Sequence, residues 1–119
     1  HLRIVRSGAA LPTCEITDDP PLRACKPSVD YMLESLIPIY GGRVLAMILT
    51  GMGNDGLEGC RKLRAAGARV AAQEGSTCTV YGMPRQIVES NLAHDIIPLP
   101  DLSNYLLQQT SKVALCSTH

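Results

Sequence analysis

The sequence lacks an excess of either charge. Lysine and arginine together number 11, aspartate and glutamate also number 11, and both kinds are scattered along the 119 residues. A protein that binds the phosphate backbone carries a basic patch or stripe, so no nucleic-acid partner is expected. The chain has no run of ~20 apolar residues to cross a bilayer, and its first residues lack the apolar stretch of a signal peptide. We therefore expect a cytoplasmic protein without membrane insertion.

The sequence also lacks the spacings of metal sites and disulfide frameworks. The cysteines are odd in number and contain no C-x-x-C pair: Cys14, Cys25, Cys60, Cys78 and Cys116. Because free cysteine behaves as a small hydrophobic residue, reduced and mostly buried thiols are expected. No two of the three histidines have ligand spacing, so neither a metal nor another cofactor is expected. His94 is expected at the surface or as a cap, and His1 and His119 at poorly ordered chain ends.

Apolar periodicity predicts strands that alternate with helices in one domain. The length and the 45% of hydrophobic residues are typical of a single globular domain. Ser28 can cap a helix because its hydroxyl can accept from an early backbone N–H, and Gly41 and Gly42 end that helix. Strands are predicted at 2–6, 13–16, 43–50, 69–73 and 94–99, and helices at 29–40, 57–66, 84–91 and from about 101. This order predicts an α/β fold, with a doubly wound, mainly parallel sheet and helices on both faces.

A glycine turn, Thr50-Gly51-Met52-Gly53-Asn54-Asp55-Gly56, joins a predicted strand to the following helix. Ligands and catalytic groups of open parallel sheets collect beyond the carboxyl ends of strands, so Asp55 is a candidate functional residue. Residues 51–56 also satisfy the dinucleotide pattern G-x-G-x-x-G, and Gln73-Glu74 follows near where that fold places its ribose-binding acid. Asp55 would then stand beside the pyrophosphate, and the like charges would repel by several kcal/mol at an effective dielectric of ~20.

Two further interpretations of Asp55 remain open. It can cap the helix that follows it, with residues 54–56 forming an Asx turn, because every helix needs its first N–H groups satisfied. It can also be the carboxylate of a catalytic triad, which orients a histidine and stabilises the imidazolium that forms as a serine is deprotonated. Composition and spacing do not decide among the three.

The motifs around the turn occur in an order that resembles the bacterial chemotaxis protein-glutamate methylesterases, the CheB family. The resemblance covers residues from about 1 to 99, and the ordered series is far more specific than any single motif. The segments that carry it are Arg6-Ser7-Gly8, Pro20-Pro21, Lys26-Pro27-Ser28-Val29-Asp30, residues 48–56, Ala71-Ala72-Gln73-Glu74 and residues 76–85 with Tyr81-Gly82-Met83-Pro84-Arg85.

This resemblance implies an α/β serine hydrolase that removes methyl groups from glutamate methyl esters on chemoreceptors and deamidates receptor glutamines. It implies that Asp55 is the acid of a Ser-His-Asp triad and that Met52 lies beside the nucleophile. The implied partners are methylated chemoreceptor proteins, and a chemotaxis histidine kinase that acts through a receiver domain absent from these residues.

Two members of that triad are missing from the 119 residues. The family's nucleophile lies in a Ser-Thr-Gly-Gly motif and its histidine on a later segment, and neither motif occurs here. Residues 1–119 therefore resemble the C-terminal part of the catalytic domain, and we expect the isolated chain to be inactive and to self-associate through exposed strand edges. A substitute triad of Cys78, His94 and Asp55 has nothing to orient the thiol. The alternatives are a dinucleotide-binding module at residues 51–56 and a non-catalytic interaction fragment.

Overall fold

Five strands and four α-helices follow one another in the computed structural model, which describes the backbone of residues 1–117 and the side chains of residues 1–111. The strands are β1 (Leu2–Val5), β2 (Thr13–Ile16), β3 (Leu45–Ile48), β4 (Arg69–Gln73) and β5 (Asp95–Ile97). The helices are α1 (Val29–Tyr40), α2 (Leu57–Ala65), α3 (Met83–Glu89) and α4 (Leu102–Ser117), with 3-10 turns at Gly75–Thr77 and Leu99–Asp101.

Helix α1 begins and ends where the sequence predicts. Ser28 precedes its first turn in an extended conformation, and the Ser28 hydroxyl accepts a hydrogen bond from the Tyr31 N–H at 3.2 Å. Gly41 follows the last turn with a φ of +58°, and its N–H donates to the Ile37 carbonyl at 2.8 Å. These two caps satisfy backbone groups that a helix leaves unpaired at its termini.

The parallel sheet has the strand order β3-β4-β5. Leu45 pairs with Arg69, and Ala71 pairs with Asp95, so β4 is the central strand. Four of its five residues are buried, as expected of a strand that has neighbours on both edges and is covered by helices. Helices α2 and α3 contact each other and pack against the sheet. Within residues 1–117 the strand order does not reverse.

A hydrophobic core lies between this sheet and helices α1, α2 and α3. Its most buried side chains include Leu33 of α1, Cys60 and Leu63 of α2, Val70 of β4 and Ile87 of α3. Burial raises the pKa of the Cys60 thiol to about 12, so this thiol stays protonated at neutral pH.

The other cysteines do not follow the expectation of mostly buried thiols. Cys14 is exposed, and Cys25 and Cys78 are only half-buried. The side chain of Cys116, like the whole of His119, lies outside the described residues. The expectation is therefore wrong for Cys14 and holds fully only for Cys60, because that thiol alone of the four described ones faces the core.

Strands β1 and β2 form a separate antiparallel hairpin that packs on α1. The Ile4 N–H donates to the Ser35 hydroxyl of α1 at 2.9 Å, which ties the hairpin to the helix. All four residues of β2 are exposed, whereas those of β1 are half-buried. The hairpin therefore adds an edge to the domain without joining the parallel sheet.

The predicted α/β class with a mainly parallel sheet is confirmed. Strands β2 and β4 have the predicted bounds, whereas β1, β3 and β5 are shorter than predicted. Strand β3 ends at Ile48 because the Thr50 N–H donates to the Gln73 side chain and Gly51 pairs with Tyr81. Among the described residues, none of the helices has the length and apolar character needed to cross a membrane.

Candidate active site

The glycine turn is fastened to the segment that begins at Val80. The Thr50 hydroxyl donates to the Val80 carbonyl at 3.1 Å and accepts from the Val80 N–H at 2.9 Å. The Gly51 N–H donates to the same carbonyl at 3.0 Å, and the Met83 N–H donates to the Gly51 carbonyl at 2.8 Å. Two motifs that are about 30 residues apart in the sequence thus form one hydrogen-bonded unit at the carboxyl end of β3.

Gly82 allows the two segments to approach this closely. A Cβ atom at this position would lie 2.7 Å from the Gly51 carbonyl oxygen and 3.1 Å from the Gly53 nitrogen, both of them backbone atoms. A distance of 2.7 Å is shorter than van der Waals contact, and backbone atoms cannot rotate away as a side chain can. Glycine is therefore required here to hold the turn in place.

The Asp55 carboxylate points to the amino end of α1. Its Oδ1 accepts from the Ser28 hydroxyl at 3.0 Å and from the Asp30 N–H at 3.0 Å, and its Oδ2 accepts from the Val29 N–H at 2.7 Å. Three donors and the positive end of the helix dipole therefore hold the carboxylate. The interpretation of Asp55 as the cap of its own helix is wrong, because Asp55 bonds to the amino end of α1, and the N-cap position of α2 is Gly56, which has no side chain.

The amino end of α2 is capped by Asp30. The Asp30 Oδ1 accepts from the Gly56 N–H at 3.0 Å and from the Gly59 N–H at 2.7 Å, while its Oδ2 lies 3.3 Å from the Arg23 guanidinium. A dinucleotide fold needs these helix N–H groups for the pyrophosphate. A buried carboxylate already occupies that position, which argues against the dinucleotide interpretation of residues 51–56.

The Asp55 carboxylate retains capacity for one more donor. A carboxylate offers about four acceptor positions, and the described residues fill two on Oδ1 and one on Oδ2. Asp55 is half-buried and borders a cavity of about 130 Å³. The cavity is lined by Arg23, Cys25, Asp30, Asn54, Asp55, Leu57 and Glu58. The arrangement suits an N–H donor that approaches Asp55 Oδ2.

Met52 lies at the tip of the turn. It is 85% exposed, the largest exposed fraction among the large hydrophobic residues within 1–111. Three further apolar side chains at this end of the sheet are also exposed, namely Leu49, Val80 and Tyr81. These four side chains form an exposed apolar rim beyond the carboxyl end of β3, with Met52 as its most accessible member.

Cys78, His94 and Asp55 do not come together. The His94 Nδ1 accepts from the Val70 N–H at 3.0 Å near the amino end of β4, whereas Asp55 follows the carboxyl end of the parallel strand β3. The Cys78 thiol contacts the Glu74 carbonyl at 3.4 Å, and its pKa is raised by desolvation and by the Glu74 charge, which disfavours the thiolate. His94 is exposed, so the prediction of a surface position is confirmed.

The sequence interpretation missed the contacts of Ser28 and Asp30 with the candidate acid and the contact of His1 with Ser28. His1 was expected at a poorly ordered end, yet it is 6% exposed and stacks on Tyr31. Ser28 was predicted as a cap for α1 but not as a donor to Asp55. A second acid two residues after a predicted N-cap serine was the available signal for Asp30, because carboxylates favour helix amino ends.

The fold and site together define a single α/β unit with a carboxylate held at the carboxyl edge of a parallel sheet. The chain belongs to the CheB methylesterase family, whose model matches residues 1–106.

Relatives of this family share a large part of the sequence. Protein-glutamate methylesterase/protein-glutamine glutaminase 4 of Myxococcus xanthus is 44% identical over 106 residues, covering 89% of this chain and 29% of that protein. Protein-glutamate methylesterase/protein-glutamine glutaminase 2 of Pseudomonas aeruginosa is 41% identical over 112 residues, covering 94% of this chain and 32% of that protein. The chain thus spans about three tenths of the length of these curated relatives.

A solved structure shares the fold. The crystal structure of the Thermotoga maritima CheB methylesterase catalytic domain superposes with a TM-score of 0.85 at 29% sequence identity. The match covers 92% of this chain and 57% of that domain.

Proposed function

We propose that this chain supplies the acid of a protein-glutamate methylesterase that hydrolyses glutamate methyl esters on chemoreceptors and also deamidates receptor glutamines. The single observation that carries the proposal is the Asp55 carboxylate, held by three donors with one acceptor position left on Oδ2. The names of the Myxococcus and Pseudomonas relatives, which are methylesterase/glutaminases, support the reaction class.

In the proposed mechanism, Asp55 Oδ2 accepts the N–H of a histidine and fixes its orientation. The histidine removes the proton from a serine hydroxyl, whose oxygen attacks the ester carbonyl, and Asp55 stabilises the imidazolium that forms. The imidazolium returns the proton to the departing methoxy group, and methanol leaves. Water then hydrolyses the acyl-enzyme with the same histidine as base.

The serine and histidine of this proposal come from outside residues 1–119. The Ser-Thr-Gly-Gly motif does not occur in this sequence, and the chain matches only 57% of the Thermotoga catalytic domain. Residues 1–119 would therefore form the C-terminal part of the catalytic domain, with Met52 lining the substrate side of the site. No cofactor takes part in this chemistry.

The proposed setting is chemotaxis signalling in the cytoplasm. The partners would be methylated chemoreceptor proteins, together with a chemotaxis histidine kinase that acts through a receiver domain. The balanced charge of the sequence, 11 basic and 11 acidic residues, offers nothing for a nucleic acid.

Methanol release tests the function. The full-length protein that carries residues 1–119 should release methanol from methylated receptor, whereas the isolated 119 residues should release none because they lack the nucleophile and base. Full-length protein that binds methylated receptor but never hydrolyses it would favour the non-catalytic interaction fragment. Methanol release by the isolated chain would contradict the proposed origin of the serine and histidine.

Self-association of the isolated chain is a separate proposal. Within the described residues β3 has one hydrogen-bonded neighbour, β4, so its other edge carries unpaired backbone groups. Leu49 and Met52 lie exposed at the same end. Open edges and apolar surface favour pairing between copies. Light scattering should detect dimers or larger species, and a monodisperse monomer would contradict this proposal.

A further inference from the structure

We propose that Ser28 is a positioning residue for Asp55, and that His1 fixes Ser28 in turn. The inference rests on the proposed function, because it concerns how the acid of that reaction is oriented. Neither residue would touch the substrate. Their role would be to decide which oxygen of Asp55 is left free for the catalytic histidine.

The Ser28 hydroxyl does more than an ordinary N-cap. A cap serine accepts from an early helix N–H, as Ser28 does from Tyr31 at 3.2 Å. Its one hydroxyl hydrogen is then free to be donated elsewhere, and here it goes to Asp55 Oδ1 at 3.0 Å. The hydroxyl is therefore oriented from both sides, and it couples the first turn of α1 to the carboxylate.

His1 holds the backbone of Ser28. The Nδ1 atom of His1 accepts from the Ser28 N–H at 3.1 Å, and Nε2 lies 2.9 Å from the Pro20 carbonyl oxygen. A carbonyl can only accept, so Nε2 carries the proton and Nδ1 is the acceptor, which defines one neutral tautomer. The ring stacks on Tyr31 with centroids 4.2 Å apart and an interplanar angle of 11°. His1 and Ser28 are 6% and 4% exposed, so water does not compete for these bonds.

The distribution of donors over the two Asp55 oxygens is uneven. Ser28 and the Asp30 N–H fill Oδ1, while the Val29 N–H alone bonds to Oδ2. The open acceptor position is therefore on Oδ2. Without the Ser28 hydroxyl, each oxygen would carry one backbone donor, and an incoming histidine N–H could bond to either. The imidazole would then be less well aligned for proton transfer, which affects turnover more than substrate binding.

Steady-state kinetics of the full-length protein on methylated receptor tests this role. Ser28→Ala should lower kcat by about tenfold with KM within about twofold of the unchanged protein, as for the loss of one hydrogen bond to a charged group. Ser28→Thr should restore most of kcat because the hydroxyl returns. His1→Phe keeps the stacking but not the Nδ1 acceptor, and it should give a smaller loss of the same kind.

Gly41→Ala is the matched control for α1 stability. It strains the other end of the same helix, where φ is +58° and no atom lies within 4 Å of the added Cβ. It should lower the unfolding temperature while leaving kcat unchanged. If Ser28→Ala and Gly41→Ala change kcat equally at equal loss of unfolding temperature, the positioning role is wrong.

A double-mutant cycle separates failure of this inference from failure of the proposed function. In the Asp55→Asn background, Ser28→Ala should have no further effect on kcat, since nothing is left to position. If the effects of Ser28→Ala and Asp55→Asn on kcat multiply in the double variant, the inference is wrong. If the unchanged protein does not hydrolyse the ester, the proposed function is wrong. The same cycle, measured by thermal unfolding, then still tests whether Ser28 holds Asp55. Non-additive shifts would support Ser28 as the group that holds Asp55, and additive shifts would overturn it.

Discussion

Asp55 and Asp30 each cap the amino end of the other's helix and not of the helix nearest to them in the sequence. Asp55 lies just before α2 and caps α1, whereas Asp30 lies in the first turn of α1 and caps α2. Asp30 is 3% exposed, and its oxygens are engaged by two helix N–H groups and by Arg23. Asp55 also has three partners and borders the same cavity as Asp30, but it is half-buried, and a hydroxyl and two backbone N–H groups hold it without a cation.

The difference separates a structural acid from one suited to chemistry. A buried carboxylate whose acceptors are engaged by fixed donors and a cation stabilises the fold and has no role left for a reacting group. A carboxylate that is equally well oriented but retains one accessible acceptor can hold a catalytic histidine. Capping geometry and the number of partners do not make this distinction, because each carboxylate has three. The greater exposure of Asp55 and the cation beside Asp30 do.

The largest expected effect is on turnover, from Asp55→Asn in the full-length protein. We expect kcat to fall by ~10³ to 10⁴, the scale seen when a triad loses its orienting carboxylate. The protein should remain folded but lose ~1 to 2 kcal/mol of stability, because an amide presents only one accepting oxygen to the donors of α1. Methanol release and thermal unfolding measure the two effects. Unchanged turnover would remove Asp55 from the mechanism.

The next largest effect is on stability, from Asp30→Ala. This change leaves the Gly56 and Gly59 N–H groups without their acceptor, and we expect the free energy of unfolding in urea to fall by ~3 kcal/mol. Asp30→Asn is the matched control, because both N–H groups bond to the single atom Oδ1, which an amide oxygen can replace. The asparagine variant should lose much less. Equal losses would mean that the Arg23 contact, not the cap, is what matters.

The sequence could predict the local caps of α1, but not that each carboxylate caps the other's helix. Ser28 as the cap of α1 and Gly41 as its end involve neighbours within four residues, so propensity and spacing identify them. The bonds from Ser28, Val29 and Asp30 to Asp55 join residues 25 to 27 positions apart, and no periodicity encodes them. Local reasoning therefore offered only α2, the helix next to it in the chain, as a helix that Asp55 could cap.

The burial of His1 was unpredictable for the same reason. Its partners Pro20 and Ser28 lie 19 and 27 positions away, and they meet it only once the hairpin packs on α1. The family resemblance implies that Asp55 and Met52 are site residues, whereas spacing left three interpretations of Asp55 open. Their catalytic roles stay predictions that the kinetic experiments address.

A smaller effect should come from Gly82→Ala, which displaces the turn that carries Asp55 but leaves Asp30 in place. The added Cβ would lie 2.7 Å from the Gly51 carbonyl oxygen, so the backbone must shift. We expect ~1 to 3 kcal/mol of lost stability and a fall in kcat of ~10 to 10². Gly8→Ala is the control, because it strains a remote turn at φ +57° with open space around it. A Gly82 variant with full kcat would show that the turn tolerates displacement.

The smallest effect should come from Glu34→Gln, which weakens the ionic link between α1 and α2. Glu34 lies 3.1 Å from Arg23 and 2.8 Å from Lys62. Partial burial acts to raise the pKa of Glu34, but hydrogen bonds from Lys62 and Arg23 outweigh it and the pKa is lowered below 4.5. We expect a loss of ~0.5 to 1 kcal/mol at neutral pH.

The pH dependence gives the sign of that effect. Because the folded pKa of Glu34 is below the unfolded value, its contribution is present above about pH 4.5 and is lost as the pH falls through the folded pKa. Urea unfolding at pH 7 and pH 3 should therefore show that the difference between Glu34→Gln and the unchanged protein shrinks at acid pH. A constant difference would exclude the ionic explanation.

The two carboxylates also fix the positions of α1 and α2 relative to each other along the helix axes. Three bonds to Asp55 and two to Asp30, five in all, cross between the amino ends of α1 and α2 in opposite senses. A slide of α1 by one residue rise, about 1.5 Å, would disturb all of them together. A displacement of α1 along its axis would therefore change the position of Asp55 and the start of α2 at the same time.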